Sequence, residues 1–273
     1  MIKIKIAVCI KQVPGTTDIK IDPETNTLVR QGIENIINPF DSYAVEEGVR
    51  IKERLDAEEG YTGESEVIAM TMGPPQSEEM LKEAVAAGVD RVVLLSDRAF
   101  AGADTWATST TLAMAVDKLE DIKLVIFGKQ TLDGDTGQVG PEFAQRMNIP
   151  FIGYVSEIME ISDKKIKVKR LAEDRYEIFE VRLPAAISVI KDINTPRVPS
   201  LRGKMKAKSA EIPVWTASEL GANEDEVGLS GSYTQVVKIF TPKMVYDVSM
   251  IEGTPEEQVE ELFKNLKSLI IVS

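Results

Sequence analysis

Four short apolar runs separated by segments of helical periodicity leave this chain few folds. The runs are Ile6-Ala7-Val8-Cys9-Ile10, Glu66 to Met72, Arg91 to Leu95, and Leu124-Val125-Ile126-Phe127. Helical patterns run from Asn38 to about Leu55, from Glu78 to Ala87 and from Asp104 to Leu119. The first starts clearly: Asn38 suits the N-cap, Pro39 has the preset φ of the first helical position, and Asp41 complements the helix dipole. Buried strands alternating with helices predict an α/β fold, a parallel twisted sheet with helices on both faces. Such sheets bind ligands where strand carboxyl ends meet helix N-termini. Four stretches converge on that edge: Cys9 to Pro14, Asn38 to Asp41, Met72 to Pro75, and Gly128 to Gly140. Cys9, Asn38, Asp41 and Met72 are therefore candidate ligand contacts.

The fourth stretch, Gly128-Lys129-Gln130-Thr131-Leu132-Asp133-Gly134-Asp135-Thr136-Gly137-Gln138-Val139-Gly140, joins a strand to a helix opening near Pro141. Unpaired N–H groups and the positive end of the helix dipole favour an anion there. Its glycines let backbone approach a phosphate without Cβ atoms in the way. Thr136 and Gln138 add side-chain hydrogen bonds. The spacing matches neither G-x-G-x-x-G nor the P-loop, and glycines also punctuate ordinary strand-to-helix turns. The reading is a nucleotide-like anion site of no standard class.

The residue inventory narrows the chemistry. The sequence contains no histidine, which removes serine–histidine and cysteine–histidine nucleophiles and the commonest metal ligand. The single cysteine, Cys9, excludes an intrachain disulfide and a thiolate metal cluster, so no metal site is expected. Lys+Arg 32 against Asp+Glu 44 gives a net charge of -12, which argues against nucleic-acid binding. The N-terminus lacks a signal pattern and no apolar run approaches membrane-spanning length, so a cytoplasmic protein without membrane insertion is expected. No side chain is assigned a catalytic role. If the chain is catalytic, a cofactor supplies the reactive atoms.

After Pro150 the pattern changes to strands with few helical signals: Tyr154 to Ile161, Lys165 to Arg170, Tyr176 to Arg182 and Ala185 to Ile190. They read as a mostly antiparallel extension of the same domain, giving a first domain over 1–193. From Asn194 to about Leu229 periodicity fades, and prolines beside the basic run Arg202 to Lys208 read as an extended arm. Thr254-Pro255-Glu256-Glu257 caps a last helix to about Leu266. Residues 194–273 form the second region, an arm and a C-terminal segment.

Several stretches together resemble the β subunit of electron transfer flavoproteins. They are Val8 to Pro14, Asn38 to Asp41 with Ala44 to Glu47, Met72 to Gln76, Ala86 to Arg91, Gly128-Lys129-Gln130 with Asp133 and Gln138, and Thr195-Pro196-Arg197 leading to Leu201 and Met205 to Lys208. The resemblance implies a heterodimer with a flavin-carrying α subunit and electron transfer between a dehydrogenase or nicotinamide donor and a further acceptor. It makes the Asn194 to Lys208 arm the loop that docks dehydrogenases, with Leu201 as its apolar anchor, and the C-terminal segment a wrap around the α subunit.

The family has two kinds of member. In conventional ones the β-subunit pocket holds AMP; in bifurcating ones it holds a second FAD that takes hydride from NADH. The segment Asp97 to Ser109 is similar to that of flavin-containing members, with Asp104 a helix cap and Thr105 and Thr108 partners for phosphate or ribitol oxygens. Conventional members carry Asn-Gln-Thr where this chain has Gly137-Gln138-Val139, and the glycine leaves room for a pyrophosphate. The expectation is FAD, with AMP as the alternative. NADH is the donor, and an acyl-CoA dehydrogenase and ferredoxin or flavodoxin are the acceptors. A free-standing nucleotide-binding enzyme or sensor, and a structural AMP subunit, remain as other readings of the same sheet.

Overall fold

A computed structural model describes residues 4–15, 35–57, 65–237 and 248–268. They fall into two compact units, within 1–237 and 238–273. In chain order the first unit contains β1 (Lys5–Cys9), β2 (Gln12–Pro14), β3 (Asn35–Ile37), α1 (Pro39–Ala57), β4 (Glu66–Met72), α2 (Glu78–Ala86), β5 (Arg91–Leu95), α3 (Thr105–Leu119) and β6 (Ile122–Gly128). It continues with α4 (Val139–Met147), β7 (Phe151–Ile161), β8 (Lys165–Leu171), β9 (Tyr176–Arg182), β10 (Ala185–Val189), α5 (Leu201–Lys208), β11 (Val214–Trp215) and α6 (Ala217–Leu220). The turn sequence Pro23-Glu24-Thr25-Asn26 between Asp18 to Asp22 and Thr27 to Arg30 predicts a short hairpin, which lies outside the described residues.

Nine strands form one sheet in the order β11-β5-β4-β1-β6-β10-β7-β8-β9. The seven from β11 to β7 are parallel, and β8 and β9 add to β7 antiparallel. Strand alternation divides the core between the two faces. Ile6 and Val8 of β1 pack with Leu124 and Ile126 of β6 under α1, while Ala7 and Cys9 pack with Val125 and Phe127 under α3 and α4. The central strands β1, β4, β6 and β10 are largely buried on both sides because both sides are covered. The chain leaves β1 for β4 and β5 on one side, then crosses to β6 on the other. Strand order thus reverses between β1 and β6, where the carboxyl ends leave a crevice.

Three expectations change. The sequence from Lys3 to Val13 reads as a single opening strand, but the strand breaks after Cys9, and Gln12 to Pro14 pairs antiparallel with β3. The run Ala185 to Ile190 is not part of the antiparallel extension. As β10 it inserts parallel between β6 and β7, fully buried, whereas β7, β8 and β9 form the extension as expected. The stretch from Asn194 to Leu229 is not irregular throughout: Leu201–Lys208 is helical, capped by Ser200 Oγ accepting from Gly203 N–H at 3.0 Å. Its sequence hides the helix because only Ala207 is buried.

The second unit contains α7 (Pro255–Ser268), with Thr254 and Glu257 capping each other's N–H groups at 3.4 and 2.8 Å. Among the described residues no helix is long and apolar enough to cross a membrane.

Candidate functional site

A cavity of about 800 Å³ opens at the β1/β6 crevice. Cys9 and Met72 reach it from strand ends, Asp41 from the first turn of α1, and Thr136, Gly137, Gln138 and Val139 from the loop before α4. Asp104, Thr105 and Thr108 line it from the N-terminus of α3. Ten of the residues singled out in the sequence thus share one cavity. Asn38 and Asp133, also read as cofactor contacts, do not line it, and Leu201, read as a docking anchor, lies apart from it. Asn38 is fully buried and pins the loop from behind: its side-chain amide donates to Gln130 O at 2.8 Å, and its oxygen accepts from Leu132 N–H at 3.2 Å. Asp133 pairs with Lys11 Nζ at 2.8 Å. Leu201 starts α5 and is 77% exposed.

The two helix N-termini at the cavity differ. At α3 the Asp104 carboxylate accepts from Ala107 N–H at 3.0 Å, so the end is capped internally. At α4 the N-cap is Gln138, whose side chain makes no cap hydrogen bond. The N–H groups of that first turn and the dipole behind them remain available to an anion. Lys129 lines the same end and lies over the Tyr154 ring, 5.6 Å from its centroid; among the described residues it makes no ion pair.

The hydroxyls of α3 also divide. Ser109, Thr110 and Thr111 donate back to carbonyls of their own helix, and Thr105 Oγ1 donates to Glu142 at 3.1 Å. Thr108 makes no such bond among the described residues and faces the cavity. Glu142 has its other oxygen buried without a partner, and burial together with nearby Asp104 raises its carboxyl above the usual range.

At the floor, burial pushes the Cys9 thiol up, aided by Asp41, so it stays protonated and unreactive. Asp41 is itself buried. Burial raises its carboxyl from 3.8 to about 7, against the pull of hydrogen bonds from Lys11 N–H, the Asn38 side chain and Gly128 N–H. The folded state therefore keeps this proton to higher pH than the unfolded chain. The group's contribution to stability is complete below about 3.8 and declines as pH rises toward about 7. The decline is at most about 1.4 kcal/mol per pH unit. Asp41→Asn, which cannot titrate, is expected to flatten the pH dependence relative to wild type in urea denaturation across that window. Equal slopes in the two proteins would place the titration elsewhere.

Sequence reasoning missed the wall formed by Tyr233, Thr234, Gln235 and Val236. These residues have no periodicity and lie far along the chain from the strands they face. It also missed Ser188, whose neighbours in sequence read only as core, and passed over Trp106 between Thr105 and Thr108.

Fold and cavity together define a doubly wound α/β protein with an anion-receptive cleft at its switch point. Residues 25–220 match the electron transfer flavoprotein domain family. The chain is 45% identical to the caffeyl-CoA reductase–Etf complex subunit CarD of Acetobacterium woodii, over 98% of this chain and 100% of that one. It is 42% identical to the electron transfer flavoprotein subunit beta of Thermoanaerobacterium thermosaccharolyticum, over 98% and 99%. Identity to protein FixA of Azorhizobium caulinodans is 37%, over 97% and 95%. The chain belongs to the electron transfer flavoprotein family and groups with its β subunits.

Proposed function

We propose that this chain is the β subunit of a bifurcating electron transfer flavoprotein, pairs with a flavin-carrying α subunit, and holds FAD in the cavity. When bound, FAD supplies the hydride and single-electron chemistry that passes electrons from NADH to the α-subunit flavin, toward an acyl-CoA dehydrogenase, and to ferredoxin or flavodoxin.

The observation carrying this reading is the reach of the cavity. It extends from the Gly128 to Gly140 loop to Thr108 on α3, about 800 Å³ in all, and AMP would leave much of it empty. The uncapped first turn of α4 and Lys129 suit a diphosphate, and Thr108 Oγ1 suits a ribityl hydroxyl. Cys9, Met72, Leu112 and Phe127 give apolar walls that exclude water from the ring system. A relative that is itself a subunit of a caffeyl-CoA reductase–Etf complex supports the same reading.

Residues 194–208 then dock the dehydrogenase. Val198, Leu201 and Met205 are 88%, 77% and 65% exposed, beside Arg202 and Lys204, which favours a partner with an acidic rim around an apolar pocket. The segment 238–273 serves as the wrap around the α subunit.

The test is mass-spectrometric identification of nucleotides released from the gently purified αβ complex, with anaerobic NADH oxidation followed spectroscopically. Two FAD per complex and NADH oxidation are expected. One FAD with AMP and no NADH oxidation selects the conventional subunit instead.

A further inference from the structure

One wall of the cavity belongs to neither the sheet nor a helix. Tyr233, Thr234, Gln235 and Val236 form it, and the polar bonds that hold the first two run to Asp104. Asp104 Oδ2 accepts from Tyr233 N–H at 2.9 Å, Thr234 N–H at 2.9 Å and Thr234 Oγ1 at 3.1 Å. The backbone N–H of Asp104 donates to Ser232 Oγ at 2.8 Å, and that hydroxyl donates onward to Gly228 O at 2.7 Å. The other carboxylate oxygen caps α3.

The segment enters this clasp through a fixed turn. Gly228 has φ +58, and a Cβ there would be driven into Ala99 O. Leu229 N–H donates to Ala101 O at 3.0 Å. Beyond the turn the Tyr233 ring rests against Trp106, centroids 5.7 Å apart, and Arg146 lies over Trp106 at 3.8 Å. Oδ2, with three donors of a distant segment on it, has no capacity left for a ligand. It shapes the cavity through the residues it holds.

We propose that Asp104 is a positioning residue that fixes residues 232–236 as the wall at the α3 end of the cavity, and so selects a dinucleotide long enough to reach that wall over a mononucleotide. This rests on the FAD reading above. On that reading a mononucleotide held at the α4 end would stop short of the clasped segment, whereas the longer FAD would reach it.

The test uses the full chain, stripped of nucleotide, with FAD and AMP as probes. Asp104→Ser keeps a good N-cap for α3 but is too short to offer the second oxygen. Ser232→Ala leaves the cap intact and removes the other half of the clasp. Both are made in a Trp215→Phe background, which leaves Trp106 as the one remaining tryptophan of two. In D104S, FAD affinity is expected to fall at least about ten-fold, mostly through faster dissociation. AMP affinity should stay within about two-fold. Trp106 emission should shift as Tyr233 withdraws. S232A should move FAD binding in the same direction by a smaller factor.

Unchanged FAD binding in both variants overturns the proposal, as does equal weakening of FAD and AMP. Wild-type protein that binds AMP and not FAD overturns this proposal together with the reading it rests on. Wild-type FAD binding with an indifferent D104S overturns the clasp alone.

Discussion

Arg197→Ala is expected to destabilise the protein by about 3 kcal/mol at pH 7, measured by urea denaturation. The Arg197 guanidinium forks onto two carboxylates of α1: Nε and Nη2 on Glu46 at 2.8 and 3.2 Å, Nη1 and Nη2 on Glu53 at 2.6 and 2.9 Å. Its backbone N–H adds a bond to Glu46 Oε2 at 3.1 Å. Glu46 is only 4% exposed, so removing Arg197 strands most of a buried charge. Arg50, 2.6 Å from Glu46 Oε1, keeps one contact and holds the cost to the lower end of what breaking a buried pair costs.

Burial alone would raise the Glu46 carboxyl, but hydrogen bonds from Arg197 and Arg50 outweigh it and hold it below its ordinary 4.5. A depressed folded value contributes stability above the unfolded value that is lost as pH falls through the folded one. The difference between wild type and R197A should be full at neutral pH and shrink below about 4.5. A difference independent of pH would mean that packing, not charge, accounts for the loss. Arg197→Lys should recover only part of it, since an ammonium cannot fork. If residues 194–208 dock a dehydrogenase as proposed, R197A should also weaken electron transfer with that partner, because Arg197 ties this segment to α1.

Gly128→Ala is expected to cost about 3 kcal/mol, at the upper end of ordinary overpacking, and to abolish nucleotide binding. Gly128 closes β6 where the chain of α1 crosses it. A Cβ there would run into Asp41 Oδ1 and lie 2.7 Å from the Phe40 carbonyl carbon and 2.8 Å from Asp41 N. Backbone at a helix start cannot retreat as a side-chain tip can. The displaced pieces, Asp41 and the head of the glycine loop, both line the cavity. The melting temperature and FAD binding of the variant check this. Wild-type affinity in G128A would show that the nucleotide sits away from the β1/β6 crevice.

Several parts of the structure were legible in the sequence for local reasons. The strands Glu66–Met72 and Arg91–Leu95 and the start of α1 at Pro39 are marked by residues within a few positions of one another. So is the Asp104 cap of α3. The loop from Gly128 announced itself by its glycines between an apolar run and a helix. Ten proposed contacts meet in one cavity because the rule placing ligands at strand carboxyl ends depends on topology, not on side-chain detail. The failures have the opposite character. Ala185–Val189 has no turn signal to show that it enters the parallel sheet between β6 and β7. Helix α5 presents mostly charge and exposed apolar groups, so its pattern carried no burial period.

What the sequence settled by itself was the alternation of strand and helix, the sheet edge on which the glycine loop lies, and an inventory without histidine that excludes serine–histidine and cysteine–histidine nucleophiles. Burial period and turn chemistry are written within about ten residues and need no partner to be read. What only the tertiary structure decided was which groups remain free to meet a ligand. Asp104 is taken up by residues as far as 130 positions away and Glu46 by Arg197 across 151. Such pairings bring no local signature, because they depend on the folded sheet placing distant segments side by side.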